Sequence, residues 1–370
     1  MTKRIPAFQI DKKFIQGLLS ATTPAQLHFY LQKAIELEHS TIPPYLTAML
    51  SLKPGQNREI GKLIHGIVMQ EMLHMTISAN ILIAIGGHPR INTPDFIPNY
   101  PGPLPMGIAD GLIVGIEAFS LDLTRKTFMG IEEPTDPIPV HEMIGLYAKG
   151  QEPEFHTIGE YYESIKYKLD ELSGQLQFGQ LPQQVLNYFP PQVLFPIIDV
   201  DSAKKAIDVI ITQGEGTSAS PYQNPNAPEK LEDLAHYYKF ESIANGREIT
   251  PCPDGKGYCF GGKPIPFNQD GVWPMPPTPK PEDYPENSQE RTLIERFAYS
   301  YSSLLNSLHR AFNGEPGQMD TAIGLMFDLK VLSASLMNPS MLLGYDKGQP
   351  KPPIGLSFVY RDVQNGMSYN

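Results

Sequence analysis

The sequence predicts an all-α fold: a four-helix bundle with additional C-terminal helices and long Pro- and Gly-rich loop insertions. Three observations predict it. Apolar residues recur at three-and-four spacing over several long segments, the pattern of helices that bury one face. Between them lie stretches dense in proline and glycine, 37 and 31 of the 370 residues, which interrupt regular structure. A carboxylate also stands three residues before a histidine in the pairs Glu71/His74 and Asp233/His236, on two segments that read as helices.

The first helix is expected over residues 23–42, with Thr23-Pro24 as its start signal and Pro43-Pro44 as its stop. Its inner stripe is Leu27, Leu31, Ala34 and Glu38. The second, over 57–85, ends at Gly86-Gly87 and aligns Ile60, Ile64, Ile67, Glu71, His74 and Ser78 on one face. Two ionisable residues therefore interrupt an apolar stripe. Residues 89–153 read as a loop insertion covering one end of the bundle, with a short helix over 115–129. A third helix, over 154–172, carries Ile158, Tyr161, Ile165 and Leu169 on one face. A shorter one, over 202–213, carries Ala203, Ala206, Ile207 and Ile210, and is ended by Gly214-Glu215-Gly216.

The next helix is expected over 228–245. It has proline in its first turn, Glu229, Glu232 and Asp233 near its positive end, and Gly246 at its close. Residues 247–285 read as turns with a short hairpin around Cys259 to Gly262, followed by structural helices over 287–312 and 318–337. The expected division is a dimetal bundle over 14–246, an irregular segment over 247–285, and a C-terminal helical pair over 286–345 packed on the bundle. No fixed-period repeat points to a solenoid or propeller. A weak duplication exists: Ala34-Ile35 leads to Glu38 and then to Glu71 and His74, and Ala206-Ile207 leads to Glu215 and then to Asp233 and His236.

Composition narrows the function classes. A hydrophobic fraction of 41% is enough to fold, and a net charge of -11 without any basic run argues against a nucleic-acid footprint. No segment reads as a signal peptide or as the roughly 20 apolar residues of a membrane span. The expectation is a cytoplasmic protein acting on a small molecule, with no membrane or nucleic-acid partner; a small homo-oligomer is compatible with the sequence. Cys252 and Cys259, the only cysteines, lack a second pair of zinc ligands and are expected as free thiols.

The chemistry rests on the two carboxylate–histidine pairs, Glu71 with His74 and Asp233 with His236. Residues three apart project from one side of a helix, so both side chains can reach one metal ion. Helical-bundle dimetal proteins use two such pairs plus one Glu from each of two other helices. Glu38 supplies one of those; Glu160 and Glu215 are both candidates for the other. A single Glu-x-x-His on a surface helix is commonplace and usually only solvated. Here Glu71 and His74 lie in a helix with scarcely a charge after position 71, so leaving them buried without a partner would cost several kcal/mol. Two metal ions remove that conflict.

Other residues read as structural. His39 points about 100° away from Glu38 on a helix, Glu36 is solvated, and the remaining histidines lack a placed carboxylate. Tyr161, Tyr162, Tyr237 and Tyr238 are packing groups, one of which could also hydrogen-bond a ligand carboxylate. Nucleophile elbows, phosphate loops and dinucleotide fingerprints are not recognisable.

At these residues the sequence resembles the ferritin-like domain of the iminophenyl-pyruvate dimer synthases of violacein and related bisindole pathways. The stretches that carry the resemblance are AIELEHSTIPPY at 34–45, EMLHM at 71–75, TIGEYY at 157–162, QGEG at 213–216 and HYYKF at 236–240, within a span of 14–337. Asp233 stands where such proteins ordinarily have Glu. The resemblance implies a ferritin-like bundle and oxidative chemistry on an imine derived from an aromatic amino acid. The resulting expectation is a non-haem dimetal oxidoreductase holding two ions, iron or manganese, that activates dioxygen or peroxide to oxidise a small aromatic or amine-type molecule. Metal storage and a non-catalytic metal-stabilised scaffold for a pathway intermediate are the alternatives.

Overall fold

The computed structural model describes residues 12–107, 112–134, 137–138, 140–141, 158–179, 183–217, 220–224, 230–338 and 353–363. After a short α1 (Lys12–Leu19), helix α2 (Pro24–Leu50) opens with a capping box: Gln26 N donates to Thr23 Oγ1, and Thr23 N donates to Gln26 Oε1. The helix does not stop at Pro43-Pro44, as the sequence suggested. Proline removes an N–H from the ladder, but the carbonyl of Ser40, four residues before Pro44, accepts instead from Tyr100 Oη at 2.6 Å. A tyrosine from the loop insertion replaces the missing donor, and burial of Tyr45 and Ala48 holds the last turns in place.

Helix α3 (Arg58–Ala84) begins after Asn57, whose left-handed backbone (φ 47) is fixed by side-chain hydrogen bonds to Asn268. It ends in a Schellman turn: Gly86, at φ 85, donates to Ile83 O and Gly87 donates to Leu82 O. By length and composition α3 could cross a membrane, yet 83% of its most apolar stretch is buried inside the fold.

The loop insertion contains α4 (Leu121–Leu123), a π-helical turn (Thr124–Phe128) and α5 (Met129–Ile131), shifted towards its C-terminus relative to the expected helix over 115–129. Helix α6 (Ile158–Glu171) matches the described part of the third expected helix; the expected residues 154–157 lie outside the described ones. Helix α7 (Val200–Glu215) is capped by Asp199 and extends through Glu215, which is therefore helical rather than part of a terminating loop.

The helix expected over 228–245 is broken. Residues 228–229 lie outside the described ones, Leu231–Asp233 form a single 3-10 turn, Leu234 and Ala235 are extended (ψ 147 and 162), and only then does α8 (His236–Asn245) begin. Helices α2, α3, α7 and α6 pack side to side in that cyclic order, closing the four-helix ring, while α8 packs on α3 and α7. Helices α9 (Gln289–Phe312) and α10 (Gln318–Met337) pack on each other, α9 also on α3 and α10 on α2.

A small sheet joins β1 (Val140–His141), β2 (Thr250–Pro251) and β3 (Tyr258–Cys259) in the order β1-β3-β2. The β2–β3 hairpin turns through Gly255 and Gly257, both at positive φ, and brings Cys252 and Cys259 to a Cα separation of 5.1 Å. The two cysteines form a disulfide, not the free thiols expected from the sequence; the missing signal was the hairpin register, which pairs Pro251 with Tyr258.

Candidate metal centre

Five buried side chains meet at the centre of the ring. Glu38 comes from α2, Glu71 and His74 from α3, Glu132 from the residue after α5, and His236 from the first turn of α8; each is 7% exposed or less. They form two groups, Glu38–Glu71–His74 and Glu71–Glu132–His236, whose candidate ligand atoms lie within 4.8 Å of one another. Glu71 belongs to both, the position of a bridging carboxylate in a two-ion site.

The surrounding hydrogen bonds aim these groups inward. One oxygen of each carboxylate is held by a hydroxyl: Thr41 Oγ1 donates to Glu71 Oε2 at 2.9 Å, Tyr45 Oη to Glu132 Oε1 at 2.6 Å, and Tyr162 Oη to Glu38 Oε1. The other oxygens face imidazole nitrogens. Glu71 Oε1 is 2.8 Å and Glu132 Oε2 3.5 Å from His236 Nδ1, and Glu38 Oε2 is 3.5 Å from His74 Nδ1.

The outer nitrogens of both rings meet amide oxygens. His74 Nε2 is 2.9 Å from Gln213 Oε1, and His236 Nε2 is 3.1 Å from Gln70 Oε1. Lys239 Nζ also donates to Gln70 Oε1 at 2.7 Å, so that atom is the amide's acceptor and His236 Nε2 carries the proton. The lone pair of His236 Nδ1 therefore points at two carboxylate oxygens, with no hydrogen-bond donor to meet it among the described residues. A lone pair facing carboxyl oxygens calls for a cation or a proton between them, and an imidazole oriented by an outer partner in this way is arranged as metal-ligating histidines are.

Charge and burial point the same way. Burial, reinforced by Glu132 and Glu38, pushes the Glu71 carboxyl well above its ordinary range. Burial lowers His236, keeping its imidazole neutral, and brings Lys239 down to about 8. Burial and the adjacent carboxylates Glu132 and Glu38 push the Tyr45 and Tyr162 phenols up, so both remain hydrogen-bond donors. Three carboxyl groups and two imidazoles around a shared cavity form a donor set that could hold a metal ion.

The structure thus brings together four residues singled out in the sequence, Glu38, Glu71, His74 and His236. Glu215 also lines the cavity, but its Oε1 accepts from Gly159 N at 2.7 Å, which ties it to the first turn of α6. Glu160 does not line the cavity: Tyr162, two residues on and about 200° round the helix, takes the inward position. Asp233 belongs to neither group, because the extended Leu234 and Ala235 break the helical register that would have aligned it with His236. Glu132 is the residue that sequence reasoning missed. It lies in a loop with no periodicity to betray it, and the available signal was an acidic pair, Glu132-Glu133, directly after the apolar run Phe128 to Ile131. The π-helical turn before it re-aims the chain, a feature frequent at functional sites.

Among known proteins, no curated protein matches the chain. A crystal structure of a ferritin-like protein from Caulobacter vibrioides shares the fold, with a TM-score of 0.54 and 23% identity over 85% of this chain and 97% of that one. The ferritin-like family profile matches residues 31–245, a span that contains both groups of the centre and, apart from the first turns of α2, the four-helix ring. The chain belongs to the ferritin-like family.

Proposed function

We propose that the chain is a non-haem dimetal oxidoreductase, with iron as its preferred metal and manganese as second choice. In this reading it uses dioxygen or peroxide to oxidise a small aromatic or amine- or imine-type molecule. The observation that carries the proposal is the inward-facing lone pair of His236 Nδ1, opposite a carboxylate shared between two three-residue groups. Glu38, Glu71 and His74 would hold one ion and Glu71, Glu132 and His236 the other. When bound, such ions supply electrons and Lewis acidity for activating an oxidant.

The chain's own residues do the remaining work. Thr41, Tyr45 and Tyr162 fix the carboxylates, and Gln70 and Gln213 fix the imidazoles, so little reorganisation accompanies a change of charge at the centre. Leu37, Ile131, Ile158 and Ile210 line a cavity of about 30 Å³, which has room for little beyond ions and water-sized molecules. The oxidant therefore reaches the centre while an organic substrate approaches from its edge. Glu133 and Glu215 line that same cavity and give it an acidic character suited to an amine or iminium group. The resemblance of the motifs at 34–45, 71–75 and 236–240 to the iminophenyl-pyruvate dimer synthases supports the same substrate class.

Loading the purified chain anaerobically with ferrous iron and then adding oxygen or peroxide tests the reading. A change in the visible spectrum, followed by oxidation of an aromatic amine, is expected. An unchanged spectrum would remove the basis for redox catalysis. A cage-sized particle by light scattering with many irons per chain would indicate storage instead.

A further inference from the structure

We propose that the chain carries a second ligand site, a chamber between α2–α3 and α9–α10 that binds an apolar small molecule bearing one neutral hydroxyl group. A cavity of about 340 Å³ lies there, within the size range of small-molecule pockets. It shares no lining residue with the metal centre. Glu38, Thr41, Glu71 and His74 face the ring interior, whereas Ile42, Leu46, Val68 and Met72 on the same two helices face the chamber. Six of the chain's 14 methionines, Met49, Met69, Met72, Met75, Met319 and Met326, line it. Unbranched thioether side chains re-pack easily, which suits a wall that closes around a guest.

One unpartnered buried nitrogen marks the largely apolar wall. His39 lines the chamber and is 3% exposed; its Nε2 pairs with Tyr301 Oη at 2.5 Å, and its Nδ1 has no hydrogen-bond partner among the described residues. An unpartnered buried nitrogen is costly and uncommon in a folded protein. A hydroxyl satisfies Nδ1 in either tautomer, because it both donates and accepts. A carboxylate is a poor guest beside His39: Lys330 and His65, the lining groups that could offset its charge, are both exposed at the rim and leave a deeply buried anion uncompensated. Access is visible at the same rim, where Met69, Tyr188 and Phe327 are 39%, 48% and 65% exposed, a cluster of large apolar groups at the surface.

The test uses the full metal-loaded chain and the neutral fluorescent probe N-phenyl-1-naphthylamine, displaced by 1-dodecanol, dodecane or dodecanoate. One saturable site per chain is expected, with dodecanol displacing the probe roughly tenfold more tightly than dodecane, about the worth of one buried hydrogen bond. His39→Phe should erase that preference while retaining the probe. Leu305→Trp, and Ile323→Trp at a half-buried position more tolerant of bulk, should each weaken probe binding at least tenfold with metal content unchanged. Absence of saturable binding on the wild-type chain, or wild-type affinity in both tryptophan variants, overturns the site. Tighter binding of dodecanoate than of dodecanol, or a hydroxyl preference that survives His39→Phe, overturns the assigned ligand class.

Discussion

Glu132→Gln separates a metal ligand from a structural carboxylate, because the two roles predict stability changes of opposite sign. The substitution keeps the shape and leaves an oxygen for the Tyr45 hydroxyl, so charge is the main thing lost. In the metal-free chain, Glu132 and Glu71 present oxygens within 4.8 Å of one another. Two unit charges at that distance repel by about 3.5 kcal/mol at an effective dielectric constant of 20. Part of this is already relieved, since Glu71 is pushed towards its neutral form. A net gain of about 1–2 kcal/mol for the apo variant is therefore expected, a rise of a few degrees in Tm. With metal, the sign reverses. The position served by Glu71, Glu132 and His236 loses one of its two anionic ligands, and its affinity should fall at least about 100-fold, about 2.7 kcal/mol. Thermal unfolding of chelator-treated and iron-loaded protein, with metal counted per chain, reads both effects. A variant that is less stable when apo and still binds two ions with wild-type affinity refutes the assignment of Glu132.

The other predictions test neighbouring parts of the arrangement. Gln70→Leu removes the acceptor that holds the His236 tautomer and should lower metal affinity about 10- to 100-fold while the chain still folds, measured by competition with a chelator. His74→Ala should lose metal at one or both positions and abolish oxidation, yet retain the far-ultraviolet helical signal, because the apolar stripes of α2 and α3 are untouched; two retained metals per chain would disprove the ligand role. Glu241 on α8 is pushed up to about 7 by burial. A carboxyl raised in the folded state contributes its full stability below its unfolded pKa and loses it as pH rises through about 7. Glu241→Gln should therefore stabilise the chain at pH 8 by up to about 3 kcal/mol and have little effect at pH 4; equal denaturant midpoints for variant and wild type at pH 8 would contradict this.

What the sequence revealed depended on local signals. The cap at Thr23, the glycine pair after α3 and the apolar content of α9 and α10 are short-range features, and the corresponding helices form where those signals lie. Glu38, Glu71 and His74 were legible because each interrupts a regular apolar stripe. Failures occurred where a distant residue overrides the local signal. Pro43-Pro44 reads as a stop until Tyr100, sixty residues away from Ser40, supplies the missing hydrogen bond. Asp233 and His236 have helical spacing, but helical spacing aligns side chains only when the intervening backbone is helical, and Leu234 is extended. Glu132 reaches the centre through the geometry of a π-turn in an aperiodic loop, and hydrophobic periodicity contains no information about that.

The central claim is that two ions share Glu71. Anomalous diffraction at the iron edge from crystals of the iron-loaded chain tests it most directly. Two peaks are predicted, one contacting Glu38, Glu71 and His74 and the other Glu71, Glu132 and His236. A single peak, or two peaks with no common contact to Glu71, would contradict it.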